Sequence, residues 1–138
     1  MDRIKNRTYC PFSCSLNIWG DKWSLLIIRD MMFAGKKTYG DFLKSPEGIA
    51  TNILAARLTI LEQHGIIEKS GHPESKAKIL YKLTPKGVGL LPAMAEIYLW
   101  AEEYYHVPEE IRKRMDIFKE RKEEMVRELK EKLMRENE

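Results

Sequence analysis

Thr51, Asn52 and Ala55 are the residues of this chain whose types and spacing best suit direct contact with a polar ligand. They open the stretch Gly48 to Gly65, in which Leu54, Leu58 and Leu61 recur at the i, i+4, i+7 spacing of a buried helical stripe. Thr51, Asn52, Ala55 and Thr59 fall on the opposite side. A helix of this length facing only water normally carries Lys and Glu there. Small uncharged groups instead allow close approach to a groove, and an Asn amide near the helix start matches the donor and acceptor on an adenine edge. The pattern predicts a recognition helix for DNA, stopped by Gly65. Thr51 has a second reading as the helix cap.

DNA binding also calls for phosphate contacts. Lys36, Lys37 and Thr38 stand at the start of the preceding short helix, and Lys76 and Lys78 lie in a later polar loop. Each is a candidate for backbone phosphate, although lone surface lysines equally serve solubility. Arg57, at the edge of the apolar face, fits either a phosphate contact or an internal ion pair.

Several elements must hold these residues in place. A short helix is expected from Ser13 to Trp19, capped by Ser13 and turning Leu16 and Trp19 to the core; Gly20 ends it. Asp21 caps a second helix, Lys22 to Phe33, whose Trp23, Leu26, Ile27 and Met31 make it the central buried helix. Thr38 caps a short helix over 39–43, and Ser45-Pro46-Glu47-Gly48 turns into the long helix, giving a helix-turn-helix. Ile66 to Ser70 and Ile79 to Thr84 then read as paired strands, with Ile79, Tyr81 and Leu83 on one face and a polar loop over 71–78. That hairpin is a wing. Thr84 and Pro85 start one continuous helix through Leu90, Leu91, Met94, Ile97 and Trp100. The fold class is therefore mainly α with a small β-wing: a winged helix-turn-helix over residues 1–105 and a C-terminal helical extension over 106–138.

With 138 residues, 43% hydrophobic and 33% charged, the chain fits one soluble globular domain. Leu25 to Ile28, its longest apolar run, is far short of the roughly 20 residues of a membrane span. The start, Met1-Asp2-Arg3-Ile4-Lys5, has no apolar secretory core, so the protein reads as cytoplasmic. Net charge is +3. Residues 106–138 hold ten acids and ten bases, so the excess lies upstream, a balance compatible with phosphate contacts. Cys10 and Cys14 are too few for a disulfide framework, and dispersed His64, His72 and His106 offer no metal-ligand spacing. No cofactor or metal is expected. Neither a phosphate-binding glycine motif nor a paired-carboxylate motif is present, which argues against an enzyme. The rival reading is a winged-helix protein-protein interaction module without specific DNA binding.

Cys10-Pro11, the run Trp19 to Arg29, Glu47 to Asn52, Arg57-Leu58, Leu61-Glu62, Gly65-Ile66-Ile67 and Tyr81 to Gly87 occur in an order that resembles the HxlR family of winged-helix transcription regulators. The resemblance covers residues 10 to about 104. It implies a homodimer, with the first and last helices of the core at the interface, on a pseudo-palindromic double-stranded DNA operator. It also implies that Cys10, before its proline, is a candidate sensor of oxidants or electrophiles. That chemistry needs an accessible thiolate, favoured by Arg7 or an adjacent helix N-terminus. A small buried thiol is the alternative, and Cys14 is either a resolving partner or a packing residue. Two features depart from the family: the wing carries Glu74 and lysines in place of a proline-rich tip, and the chain continues beyond Tyr105. In that extension Ile111, Met115, Phe118, Met125, Leu129 and Leu133 form a seam interrupted by Lys122, expected as one helix from Pro108. It is either a solvated tail or packed on the core or a partner subunit.

Overall fold

The computed structural model describes residues 7–136. The polar start read from Met1 to Lys5 lies outside the described residues. The chain divides into two compact units, Met1–Thr84 and Pro85–Glu138.

The first unit contains α1 (Pro11–Trp19), α2 (Lys22–Phe33), α3 (Tyr39–Leu43), α4 (Thr51–Gln63), β1 (Ile67–His72) and β2 (Ser75–Leu83). α1 begins two residues earlier than expected, with Cys10 at the cap position and Pro11 inside the first turn, because proline's fixed φ and missing N–H suit the first helical position. Ser13 therefore lies within the helix, and Leu16 faces outward, 46% exposed. α2 starts as expected: the Asp21 carboxylate accepts from the Ser24 N–H at 2.8 Å and from its hydroxyl at 2.6 Å. Its buried face is Ile27, Ile28, Met31 and Met32, with Trp23 and Leu26 only half-buried. That face and Leu54, Leu58 and Leu61 of α4 supply much of the unit's apolar interior, α2 packing on α4 and on β2. Each such side chain contributes about 1.5–3 kcal/mol on burial.

α4 ends in a Schellman motif. Gly65 takes φ +70°, the Ile66 N–H bonds the Leu61 carbonyl at 2.9 Å, and the Gly65 N–H bonds the Glu62 carbonyl at 3.0 Å. The chain then enters β1, and the Thr84 hydroxyl donates to the Ile66 carbonyl at 3.1 Å, closing the base of the hairpin. β1 and β2 are antiparallel, with Ile67 opposite Leu83 and Gly71 opposite Ile79. The hairpin is longer than expected and turns tightly at Pro73-Glu74. Lys76 and Lys78 thus lie on β2, in a stretch where the register slips between Gly71 and His72. On the expected apolar face only Leu83 is buried; Ile79 is exposed.

The second unit contains α5 (Pro85–Val88), α6 (Leu91–Tyr104), α7 (Glu109–Glu120) and α8 (Lys122–Glu136). The single helix expected from Pro85 is broken at Gly89-Leu90. Pro92 explains this, since in a continuous helix its ring would collide with the Val88 carbonyl. The extension is two helices rather than one, parted at Arg121, whose guanidinium bonds Glu124. α6, α7 and α8 pack on one another, burying Met115 and Leu133. The Lys122 that interrupts the seam instead pairs with Glu96 of α6, and Lys119 pairs with Glu102. The extension is therefore packed on α6 within its own chain rather than a fraying tail. Among the described residues, no helix is long and apolar enough to cross a membrane.

Candidate nucleic-acid interface

α3 is only five residues long, and its start is fixed by a complete capping box. The Thr38 hydroxyl accepts the Asp41 N–H at 3.1 Å, while the Asp41 carboxylate accepts the N–H groups of Lys37 and Thr38, both at 3.1 Å. The Lys37 N–H is the first reason that this carboxyl lies below its ordinary value, outweighing the opposing effect of burial, and Thr38 adds to it. The segment before α3 also joins the wing. The Tyr81 N–H bonds the Lys37 carbonyl at 2.7 Å, and Thr38 bridges Leu80. Lys37 and Thr38 thus form a one-bridge third strand beside β2. An open groove of about 400 Å³ lies between α3 and the wing, lined by Thr38, Tyr39, Lys44, Lys78 and Ile79 among others.

Thr51, Asn52, Ala55, Ala56 and Thr59 of α4 are all exposed. At about 100° per residue they cover one continuous face of about 140°, uncharged from Thr51 to Thr59; Glu62, two turns beyond Ala55, continues the same face and pairs with Lys69. The cap position is Ala50, so Thr51 is the first helical residue rather than the cap, and its side chain stays on the open face. The Tyr39 hydroxyl donates to the Thr51 carbonyl at 2.8 Å, tying the starts of the two helices together.

Two of the expected phosphate-binding cations have carboxylate partners. Lys36 Nζ lies 3.3 Å from Asp30 Oδ2, and Arg57 Nε lies 3.5 Å from Asp21 Oδ2. Burial raises the Asp21 carboxyl, but the Ser24 hydroxyl and N–H and the charge of Arg57 outweigh it, leaving it below its ordinary value. Lys37, Lys76 and Lys78 are exposed.

One group of residues was not visible from spacing. Arg29 at the end of α2 bonds Glu47 through Nη1 at 2.8 Å and Nη2 at 2.7 Å, and bonds Asp30 through Nε at 3.0 Å and Nη2 at 2.8 Å. The Ser45 hydroxyl completes the cluster, 2.7 Å from Asp30 Oδ2. Hydrogen bonds from Arg29 hold the Glu47 carboxyl down to about 2. Both partners stand in motifs quoted above, but 18 residues apart.

Cys10 is exposed, not buried, at the cap of α1, and Cys14 lies one turn on with its N–H bonded to the Cys10 carbonyl at 2.9 Å.

A helix-turn-helix backed by a β-hairpin and followed by further helices defines a winged-helix transcription regulator. The chain belongs to the HxlR-like helix-turn-helix family, whose model matches residues 18–109. The HTH-type transcriptional regulator YodB of Bacillus subtilis is 34% identical over 98 residues, spanning 70% of this chain and 87% of YodB. The HTH-type transcriptional regulator sll1512 of Synechocystis is 33% identical over 89 residues, 64% of this chain and 65% of that protein. Among solved structures, PA1607, a candidate transcription factor, is 42% identical with TM-score 0.66, covering 75% of this chain and 70% of PA1607. The redox regulator HypR in its oxidized form is 28% identical with TM-score 0.62, covering 71% of this chain and all of HypR. The protein is accordingly a transcription regulator and not an enzyme.

Proposed function

We propose that this regulator binds a pseudo-palindromic DNA operator in the cytoplasm as a homodimer. Residues 1–105 recognise DNA and dimerise, and residues 106–138 brace α6. The observation that carries the reading is the exposed face of α4, small and uncharged from Thr51 to Thr59 and backed by fully buried leucines. Thr51, Asn52 and Ala55 meet base edges, while Lys37, Thr38, Lys76 and Lys78 meet phosphates. Lys36 and Arg57 act chiefly through their carboxylate partners.

Dimerisation is supported by apolar side chains left in water on two helices. Phe12 and Leu16 on α1 are exposed, and Ile97, Trp100 and Tyr104 make an exposed i, i+3, i+7 stripe on α6. Exposed apolar side chains clustered along a helix mark association surfaces, and each helix carries such a cluster on its own. Control by oxidants or electrophiles is supported by the exposed Cys10 at the start of α1, and by the description of HypR as a redox regulator.

The test is selection of bound fragments from a random DNA library by the full chain, followed by sequencing. Enrichment of an inverted repeat with half-sites about 10 bp apart, or a multiple of that, is expected. A selected pool with no common motif would overturn the reading in favour of a protein-interaction module.

A further inference from the structure

We propose that Arg29 is a positioning residue for DNA recognition: its guanidinium, bonded to Glu47 and Asp30 at once, fastens the α3–α4 turn to the end of α2 and so fixes how α4 is presented. The inference rests on the DNA-binding reading above.

Within the turn the Gly48 N–H bonds the Ser45 carbonyl at 3.0 Å and the Ser45 hydroxyl lies 3.2 Å from Glu47 Oε1, but these bonds do not tie the turn to α2. Glu47 precedes Gly48, which takes φ +71°, and α4 begins at Thr51 from a cap residue, Ala50, with no capping side chain. What would be set locally by a Ser or Asp cap is set from outside. Arg29 grips Glu47 with two parallel bonds, the planar fork that lysine cannot reproduce. Asp30, 5% exposed, receives the other side of the guanidinium, the Ser45 hydroxyl and Lys36. Two residues of the turn, Ser45 and Glu47, are therefore joined to adjacent residues of α2. Below the turn, buried Ile49 anchors the chain on the apolar side.

Arg29 is committed to these bonds through Nε, Nη1 and Nη2, and neither it nor Glu47 lies on the exposed face of α4 or on the wing. Its effect on DNA must pass through the position of Thr51, Asn52 and Ala55. Base-edge bonds need placement within fractions of an ångström, whereas phosphate contacts from long lysine side chains tolerate small shifts. Loosening the turn should therefore cost sequence preference first.

The experiment compares full-length wild type, Arg29→Ala, Arg29→Lys and Glu47→Gln on a selected operator and on random DNA across a salt series, with amide exchange followed along the chain. Arg29→Ala and Arg29→Lys are expected to lower the ratio of specific to random affinity by about tenfold, with the salt slope unchanged. Glu47→Gln, which keeps volume and carries the lesser risk of misfolding, should shift the ratio in the same direction. Exchange should quicken at Gly48 to Ile53 and stay unchanged in the β1–β2 hairpin. A wild-type ratio in Arg29→Lys and Glu47→Gln, or equal losses on both DNAs with faster exchange throughout, would overturn the proposal. Wild type that binds both DNAs alike overturns the DNA reading instead, and the exchange data then still decide whether Arg29 fixes the turn.

Discussion

The Tyr39 hydroxyl donates to the Thr51 carbonyl at 2.8 Å, so the first residue of α3 is bonded to the first residue of α4. A carbonyl in the first helical turn already serves the i+4 N–H, and the tyrosine uses its second lone pair. Tyr39→Phe should destabilise the protein by about 0.5–1.5 kcal/mol, measured by urea denaturation, with little change in the unfolding slope m. A variant of wild-type stability would show that this bond has no net worth.

Asn52→Ala should relax base preference and cost about 1–3 kcal/mol on the selected operator while leaving random DNA nearly unaffected. Lys76→Ala should weaken both DNAs alike and reduce the salt slope by about one. Fluorescence titrations on the two DNAs separate these outcomes, and equal losses for Asn52→Ala count against base readout.

Glu47 gives the acid limb of stability a defined sign. Its carboxyl falls from an ordinary 4.5 to about 2 in the folded chain, so its contribution is complete above 4.5 and is lost as pH falls toward 2. Glu47→Gln should therefore be less stable than wild type near neutrality, by about 1 kcal/mol given its partial exposure, and the difference should shrink through that window. Melting curves from pH 7 to 2 check this; a constant difference would contradict it.

Trp100→Glu places a charge in the centre of the exposed α6 stripe. Wild type is expected to be a dimer at micromolar concentration and the variant a monomer of unchanged helix content, as read by sedimentation equilibrium and circular dichroism. A wild-type monomer would remove the exposed apolar stripe as an argument for dimerisation.

Peroxide or a quinone should lower operator affinity in wild type and leave Cys10→Ser unaffected, because a thiolate at Cys10 is the reacting form. Cys14→Ser then reports whether a second thiol resolves the product. Unchanged binding after oxidant treatment of wild type would make Cys10 a structural residue.

The sequence revealed what is periodic or local. The Leu54, Leu58, Leu61 stripe, the Asp21 and Thr38 caps and the Gly65 stop each depend on residues within a few positions, and each stands as read. The breaks at Gly89 and Arg121 were hidden because an apolar or seam pattern carried across them; Pro92 was the available signal for the first. Lys36 reads as a phosphate-binding cation in the sequence, and Arg57 as either that or an internal ion pair; their partners, Asp30 and Asp21, are six and 36 residues away and meet them only in the fold. The Arg29–Glu47 clamp is of the same kind, since charge type is legible in a sequence but long-range pairing is not.

The most direct test of the central claim is the affinity of the full chain for its selected operator between 50 and 200 mM salt, with random DNA measured alongside. Lys37, Lys76 and Lys78 on two subunits imply about six phosphate contacts, hence a loss of roughly a thousandfold over that range on the operator. A specific excess over random DNA should persist at each salt concentration, because base-edge bonds do not release counterions. Weak salt dependence with no preference for any DNA would contradict the account.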